Sequence, residues 1–418
     1  MAVDRKRKEV KSGECVPGNN EYQEIDRYGK GKSFEQKVGE IFKSMGFEVA
    51  YNRSIAGNEI DILIKRKRRF GSRNEGYICE CKNRIKKVTK NEVLHYATEQ
   101  KAIINYSREQ NIDDFDLMIV SSSGFTDNAK QTAESLGVIL KTYNEILSEL
   151  MDFDTYLTSL INDFEGSDLQ RLYIQPDFFT ERKREVINGF KFVEEWLKQP
   201  ESKQFSLLGD HGTGKTSFAK VLTYKMATAY KKEPEKNRVP FLVDLKECKG
   251  AFSLKNLLKQ NLESGEVEPP SADKFLKLLA EGHVLLIFDA FDEMATVSSG
   301  ETTLSNFKQL NEAVRGNAKV ILTSRTHYFR DKDEVERILK QHEIDGISHS
   351  ASRLMREISG KSEYEIVHIK EFSDTHVQEY LQKAMGNEWK TAYQKIKSTF
   401  NLNDLCYHPV LLDMIVKT

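Results

Sequence analysis

The sequence predicts an α/β protein in two successive parts: a mixed sheet with flanking helices, then a doubly wound parallel sheet leading into a helical carboxy-terminal region. Three observations predict it. Between Phe47 and Tyr143 the short runs FEVAYN, EIDILI, YICECK, DLMIVSSS and GVILKTY read as strands, with helical stretches before and between them. From Phe205 strands and helices alternate as FSLLG, TSFAKVLTYKMA, VPFLVDL, VLLIFD and KVILTSR, the pattern of a parallel sheet covered on both faces. A chain of 418 residues is also long enough for two or three cores.

Residues 1–29 are polar and aperiodic and read as a flexible tail. A first domain over 30–146 opens with Phe34, Val38, Ile41, Phe42 and Met45 at helical spacing, and Gly46 stops that helix. Gly57-Asn58 suits a turn between two strands. Thr89-Lys90-Asn91-Glu92 has the spacing of a capping box and opens a helix to about Ser107. Residues 147–198 read as a helical linker around YIQPDFF, ending in an amphipathic stretch with Phe190, Val193, Trp196 and Leu197. The alternating core takes 199–335, and 336–418 reads as mostly helical.

Composition narrows the class. No run of about 18 apolar residues suggests a membrane span, and the basic start MAVDRKRKEV lacks the apolar stretch of a secretory signal. The five cysteines are scattered; Cys79 and Cys81 alternate within a strand and lack the second pair that a zinc site needs. They read as reduced thiols of a cytoplasmic protein. Net charge is only -1, yet from Lys30 to Glu92 basic residues outnumber acidic ones about two to one. Lys65-Arg66-Lys67-Arg68-Arg69 and Lys82, Arg84, Lys86, Lys87 and Lys90 dominate that stretch, a charge run that suits either a solvated loop or contact with phosphates.

Gly209-Asp-His-Gly212-Thr213-Gly214-Lys215-Thr216 fits G-x-x-x-x-G-K-[ST] between a strand and a helix. Glycines there let backbone N–H groups turn onto phosphate oxygens at a helix N-terminus, where Ser217 follows. Lys215 is expected to bridge the β- and γ-phosphates of ATP and Thr216 to hold magnesium. Val284–Phe288 is an apolar run ending in Asp289, placed to hold the same ion through water, with Asp292 or Glu293 to orient an attacking water. Arg325 ends the strand KVILTSR, where it can sense the γ-phosphate.

In the first domain, Asp61 interrupts EIDILI, and Glu80 and Lys82 stand two apart in YICECK. Period-two geometry puts Glu80 and Lys82 on one strand face. If the Asp61 strand lies alongside, two carboxylates and an ammonium meet. Carboxylates so close repel unless a cation intervenes, and magnesium takes one or two of them with water and phosphate oxygens. Lys82 is then placed to position or deprotonate water, or to stabilise charge on phosphate.

Two resemblances follow. GDHGTGKT, VLLIFDAFDE and KVILTSRT, with the later HIKEFSDTHVQEYL and YHPVLL, resemble the NACHT family of signal-transduction ATPases from about Tyr173 onward. That resemblance implies that Pro409 lies against the adenine. Ala290 departs from the family's usual glycine, and the sequence stops short of the winged-helix and sensor regions that usually follow. Gly57-Asn58-Glu59-Ile60-Asp61 and Glu80-Cys81-Lys82, with the helical Glu35, resemble the PD-(D/E)XK nucleases of the Mrr restriction endonuclease type over about Gly31–Tyr143. Together they imply a bacterial antiphage protein: ATP binding drives homo-oligomerisation and activates a magnesium-dependent DNA endonuclease, answering an unknown phage-derived trigger. Two alternatives stay open, an ATP-dependent restriction enzyme for modified DNA and a non-catalytic DNA-binding signalling scaffold.

Overall fold

Phe34, Val38, Ile41 and Phe42 form the buried stripe of helix α1 (34–44), none more than 6% exposed. In this computed structural model residues 34–55, 57–66, 74–109, 113–248, 250–296, 300–326 and 363–418 are described, and the chain divides into two units, 1–146 and 147–418. The expected tail, Lys67-Arg68-Arg69 and the helical expectation over 336–362 lie outside the described residues.

The first unit continues through β1 (Glu48–Ile55), β2 (Asn58–Arg66), β3 (Asn74–Lys82), α2 (Lys90–Glu109), β4 (Asp113–Ser121), α3 (Asp127–Leu136) and β5 (Val138–Thr142). The strands lie in the order β1-β2-β3-β4-β5. β1, β2 and β3 pair antiparallel, and β3, β4 and β5 pair parallel, so the sheet is mixed as the sequence predicts. Glu92 accepts the Thr89 N–H at 2.9 Å, as a capping box requires. Thr126 caps α3 through Ala129 N–H, and Gly137 at φ 68° ends it. These caps fix where α2 and α3 start, so that Val93, Tyr96, Ala129 and Ala133 pack on Ile78, Leu117 and Ile119.

The second unit follows α4 (Tyr143–Ser148) with α5 (Asp154–Phe164), α6 (Asp168–Leu172), β6 (Asp177–Thr180), β7 (Glu185–Asn188), α7 (Gly189–Leu197), β8 (Gln204–Leu208) and α8 (Lys215–Lys232). Next come β9 (Val239–Asp244), α9 (Leu254–Ser264), α10 (Ala272–Ala280), β10 (Val284–Asp289), α11 (Phe291–Thr296), α12 (Gly300–Asn311), β11 (Lys319–Ser324) and β12 (Tyr364–Ile369). Its sheet runs β7-β6-β12-β8-β11-β10-β9. The five strands from β12 to β9 are parallel, and β6 and β7 add an antiparallel edge. β8, β10 and β11 are buried along their whole length, as strands covered on both faces must be.

Two expectations are corrected here. The stretch 147–198 is not a purely helical linker, because Asp177-Phe178-Phe179-Thr180 is a strand of the second unit's sheet. Phe178 is 0% exposed, with ring centroids 4.8 Å from Phe218 and 6.0 Å from Phe192. Burying it against the P-loop helix outweighs any local helical preference. Within 336–418, Tyr364–Ile369 is likewise a strand, inserted between β6 and β8. Beyond it α13 (Asp374–Met385), α14 (Trp389–Ser398), α15 (Leu402–Leu405) and α16 (Pro409–Lys417) are helical and share a core of Phe372, Val377, Leu381, Ile396, Cys406 and Leu412.

Candidate functional site

In the first unit the β2/β3 register pairs Ile62 with Cys79, and one step on it sets Asp61 opposite Glu80. Asp61 Oδ2 accepts the Cys81 backbone N–H at 2.9 Å. Lys82 Nζ lies 2.5 Å from Glu80 Oε1. Burial first, then the Glu80 charge, pushes the Asp61 carboxyl up to about 6, and Glu35 on α1 adds to the push; the Cys81 N–H and Lys82 oppose it. For Lys82, burial pulls the ammonium down, but Glu80 and Asp61 outweigh it and raise the pKa. The structure therefore brings Asp61, Glu80 and Lys82 together at one end of β2 and β3, with Glu35 near enough to be felt.

A divalent cation fits this donor set. Two carboxylates face each other across neighbouring strands, which is costly without positive charge between them. Among the described residues no three His, Cys, Asp or Glu side chains close into a cluster.

In the second unit β8 runs straight into the P-loop. Gly212 and Gly214 sit at φ 79° and 95°, backbone that favours glycine. A Cβ on Gly209 would stand 2.3 Å from Ile369 Cγ2, so strand β12 requires glycine there. Lys215 Nζ donates to Gly209 O at 2.7 Å and Asp210 O at 3.0 Å. Burial lowers its pKa, Arg325 adding to this and Asp292 and Asp289 opposing it. Asp289, only 3% exposed, accepts from Thr323 Oγ1 at 2.5 Å and also bonds Thr216. Burial raises its pKa against both bonds. Thr323 also accepts the Ala290 N–H at 2.9 Å. It holds the turn in which Ala290 takes φ 62°, backbone that the glycine expected at this position would adopt more readily. Arg325 Nε donates to Asp292 Oδ2 at 2.8 Å, and Glu293 lies 3.5 Å from Lys246.

Two cavities meet at this loop. One, of about 180 Å3, holds Lys215, Thr216, Ser217, Ala290, Asp292 and Glu293. The other, of about 260 Å3, is lined by Tyr173, Ile174, Thr213, Phe372, Tyr380 and Pro409 among others. Gly214, Ser217 and Val410 line both. Pro409 opens α16, and its ring lies 4.0 Å from where a Cβ on Gly214 would be; the Val410 N–H reaches Gly212 O at 3.4 Å. A polar pocket and an apolar one on either side of a P-loop match the two ends of a nucleotide. Sequence reasoning missed Thr323 and the apolar wall of Tyr173, Ile174, Phe372 and Tyr380. Thr323 sits in KVILTSR, two residues before Arg325, and the hydroxyl in a buried strand was its only sequence signal.

The sequence model of the NACHT domain matches residues 203–388, and that of the restriction endonuclease domain Mrr_cat matches 27–150. The chain joins a restriction endonuclease domain to a NACHT domain. The Mrr-type match contains Asp61, Glu80, Lys82 and Glu35, and the NACHT match contains the P-loop, Asp289 and Arg325 but ends before Pro409. An uncharacterized WD repeat-containing protein of Nostoc sp. (strain PCC 7120) is 26% identical over 294 residues, which are 66% of this chain and 19% of that protein. The chain thus spans about a fifth of the length of this curated relative. Among solved structures, a protein of unknown function, AF1548, aligns with 31% of this chain and 77% of its own at 17% identity and a TM-score of 0.24. A complex of EndoMS with double-stranded DNA aligns with 33% of this chain and 48% of its own at 16% identity and a TM-score of 0.19. Among the described residues no helix is long and apolar enough to cross a membrane.

Proposed function

We propose that this protein is a nuclease effector under nucleotide control, in which ATP held by the NACHT domain governs a magnesium-dependent DNA endonuclease at Asp61, Glu80 and Lys82. The meeting of these three side chains, with Asp61 pushed up to about 6 by burial and the Glu80 charge, supports it most directly. Asp61 and Glu80 would hold the ion, which when bound supplies positive charge to the phosphate and acidifies a water. Lys82 is placed beside Glu80 to stabilise negative charge on the phosphate or to take a proton from water. In the NACHT domain Lys215, Thr216 and Asp289 would hold the phosphates and their magnesium, while Pro409 and Tyr173 close on the base. ATP shifts the arrangement only by its differential affinity for the two conformations. Self-association then gathers nuclease domains on one DNA and raises their effective concentration. Defence against phage, with a phage-derived trigger, is the setting in which such a device is useful.

The test is a gel assay of supercoiled plasmid with magnesium and ATP, run for wild type, Asp61→Ala and Lys215→Ala. Loss of cutting in both variants supports coupled parts; loss only in Asp61→Ala leaves the nuclease but removes the ATP control. Full cutting by Asp61→Ala would refute the site.

A further inference from the structure

The segment 83–88 leaves β3 immediately after Lys82 and returns to the core at Val88. Its tip is Ile85, 98% exposed. A single exposed apolar side chain ordinarily needs no explanation, but three features set this one apart. First, the tip is held rigidly. Arg84 N–H donates to Ser122 Oγ at 3.0 Å, and that hydroxyl lies 3.2 Å from Arg84 O. Ser123 Oγ donates to Lys86 O at 2.7 Å. Val88 N–H reaches Gly124 O at 3.0 Å, and Arg84 pairs with Glu92 at 2.5 Å. Second, Lys86 and Lys87 flank the tip, both exposed and without an ion-pair partner among the described residues. Third, three residues from Lys82 to Ile85 span at most about 10 Å, about three base-pair steps of double-stranded DNA.

From this juxtaposition we infer that Ile85 is a wedge that enters the base stack of duplex DNA beside the phosphate to be cut, while Lys86 and Lys87 hold the flanking phosphates. The inference rests on the nuclease reading above for its substrate. Apolar wedges flanked by cations unstack a base step and bend the duplex; a rigid, preordered tip loses little entropy in doing so. Unstacking next to Asp61, Glu80 and Lys82 would turn one phosphate out of the regular helix toward them. Ile85 is thus a positioning residue, and cutting would favour easily unstacked pyrimidine–purine steps.

The test uses the full chain carrying Asp61→Asn, with magnesium and ATP, and 30-base-pair duplexes holding one 2-aminopurine at successive positions. Binding should raise 2-aminopurine emission at one step. Ile85→Ala should abolish that rise and weaken binding about 10-fold, the low end of what burying one isoleucine contributes, whereas Ile85→Leu should keep both. Because Ile85 is 98% exposed, the thermal unfolding midpoint should not move. Absence of duplex binding, or an unchanged emission rise in Ile85→Ala, overturns the wedge. So does an Ile85→Ala effect confined to self-association, which would make the tip a protein contact. The two readings separate cleanly. If wild type cuts plasmid and Ile85→Ala binds and unstacks normally, the wedge falls and the nuclease stands. If wild type does not cut, yet emission depends on Ile85, the nuclease falls and Ile85 stands only as a wedge for duplex binding, not as a positioning residue for cutting.

Discussion

Acid should weaken the NACHT domain through one histidine. His283 immediately precedes β10, the strand that ends in Asp289. It is 7% exposed, with Nε2 3.4 Å from the Tyr230 hydroxyl. Burial, and then the charge of Arg238, pull its pKa down to about 4, against about 6.5 in the unfolded chain. The folded state therefore binds this proton more weakly than the unfolded state. The stabilisation is complete above about pH 6.5 and is lost as pH falls through 4. Linkage gives a loss of about 2 kcal/mol between pH 7.5 and 5, and about 3 kcal/mol by pH 4. Urea unfolding followed by tryptophan emission isolates the effect, since the only two tryptophans, Trp196 and Trp389, both lie in the second unit. Carboxylates contribute their own slope, so the readout is the difference between wild type and His283→Gln. Wild type should lose about 2 kcal/mol more than the variant over pH 7.5 to 5. Parallel profiles would show that His283 does not stay neutral in the fold and would refute the reasoning.

The remaining expectations concern the nucleotide site and its sheet. Lys215→Ala should weaken ATP binding about 100-fold through lost charge-assisted hydrogen bonds, measured by displacement of a fluorescent ATP analogue. Arg325→Ala removes the guanidinium that donates to the buried Asp292 at 2.8 Å; phosphate release should fall about 100-fold if the guanidinium also stabilises charge on the γ-phosphate. A lowered unfolding midpoint with unchanged turnover would instead make Arg325 only a structural partner of Asp292. Phe178→Ala should destabilise the second unit by about 3–5 kcal/mol, seen in the same urea assay; a change under about 1 kcal/mol would mean that the β6–β7 hairpin does not belong to that core.

Much of the candidate site was legible because its signals are local. The P-loop announces itself by glycine spacing between a strand and a helix, and Glu80-Cys81-Lys82 by strand periodicity. The expected roles of Asp292 and Arg325 were read separately, and nothing in the sequence placed the two in contact, 33 positions apart. YIQPDFF was misread for a related reason. Pro176 and a short aromatic run satisfy helical or strand geometry about equally, and only the pocket between Phe192 and Phe218 decides.

What the sequence determined by itself is whatever depends on spacing along the chain: the helix cap at Thr89, the alternation of the buried strands, the phosphate loop, and the order of the two domains. The tertiary structure alone decided which distant segments share a surface. It set Asp61 opposite Glu80, inserted β12 beside β8, and closed an apolar cavity from Tyr173, Phe372, Tyr380 and Pro409. Local hydrogen bonding fixes a helix or a turn within a few residues. Strand neighbours and cavities are instead chosen by how much apolar surface the whole unit buries, a quantity that no single segment encodes.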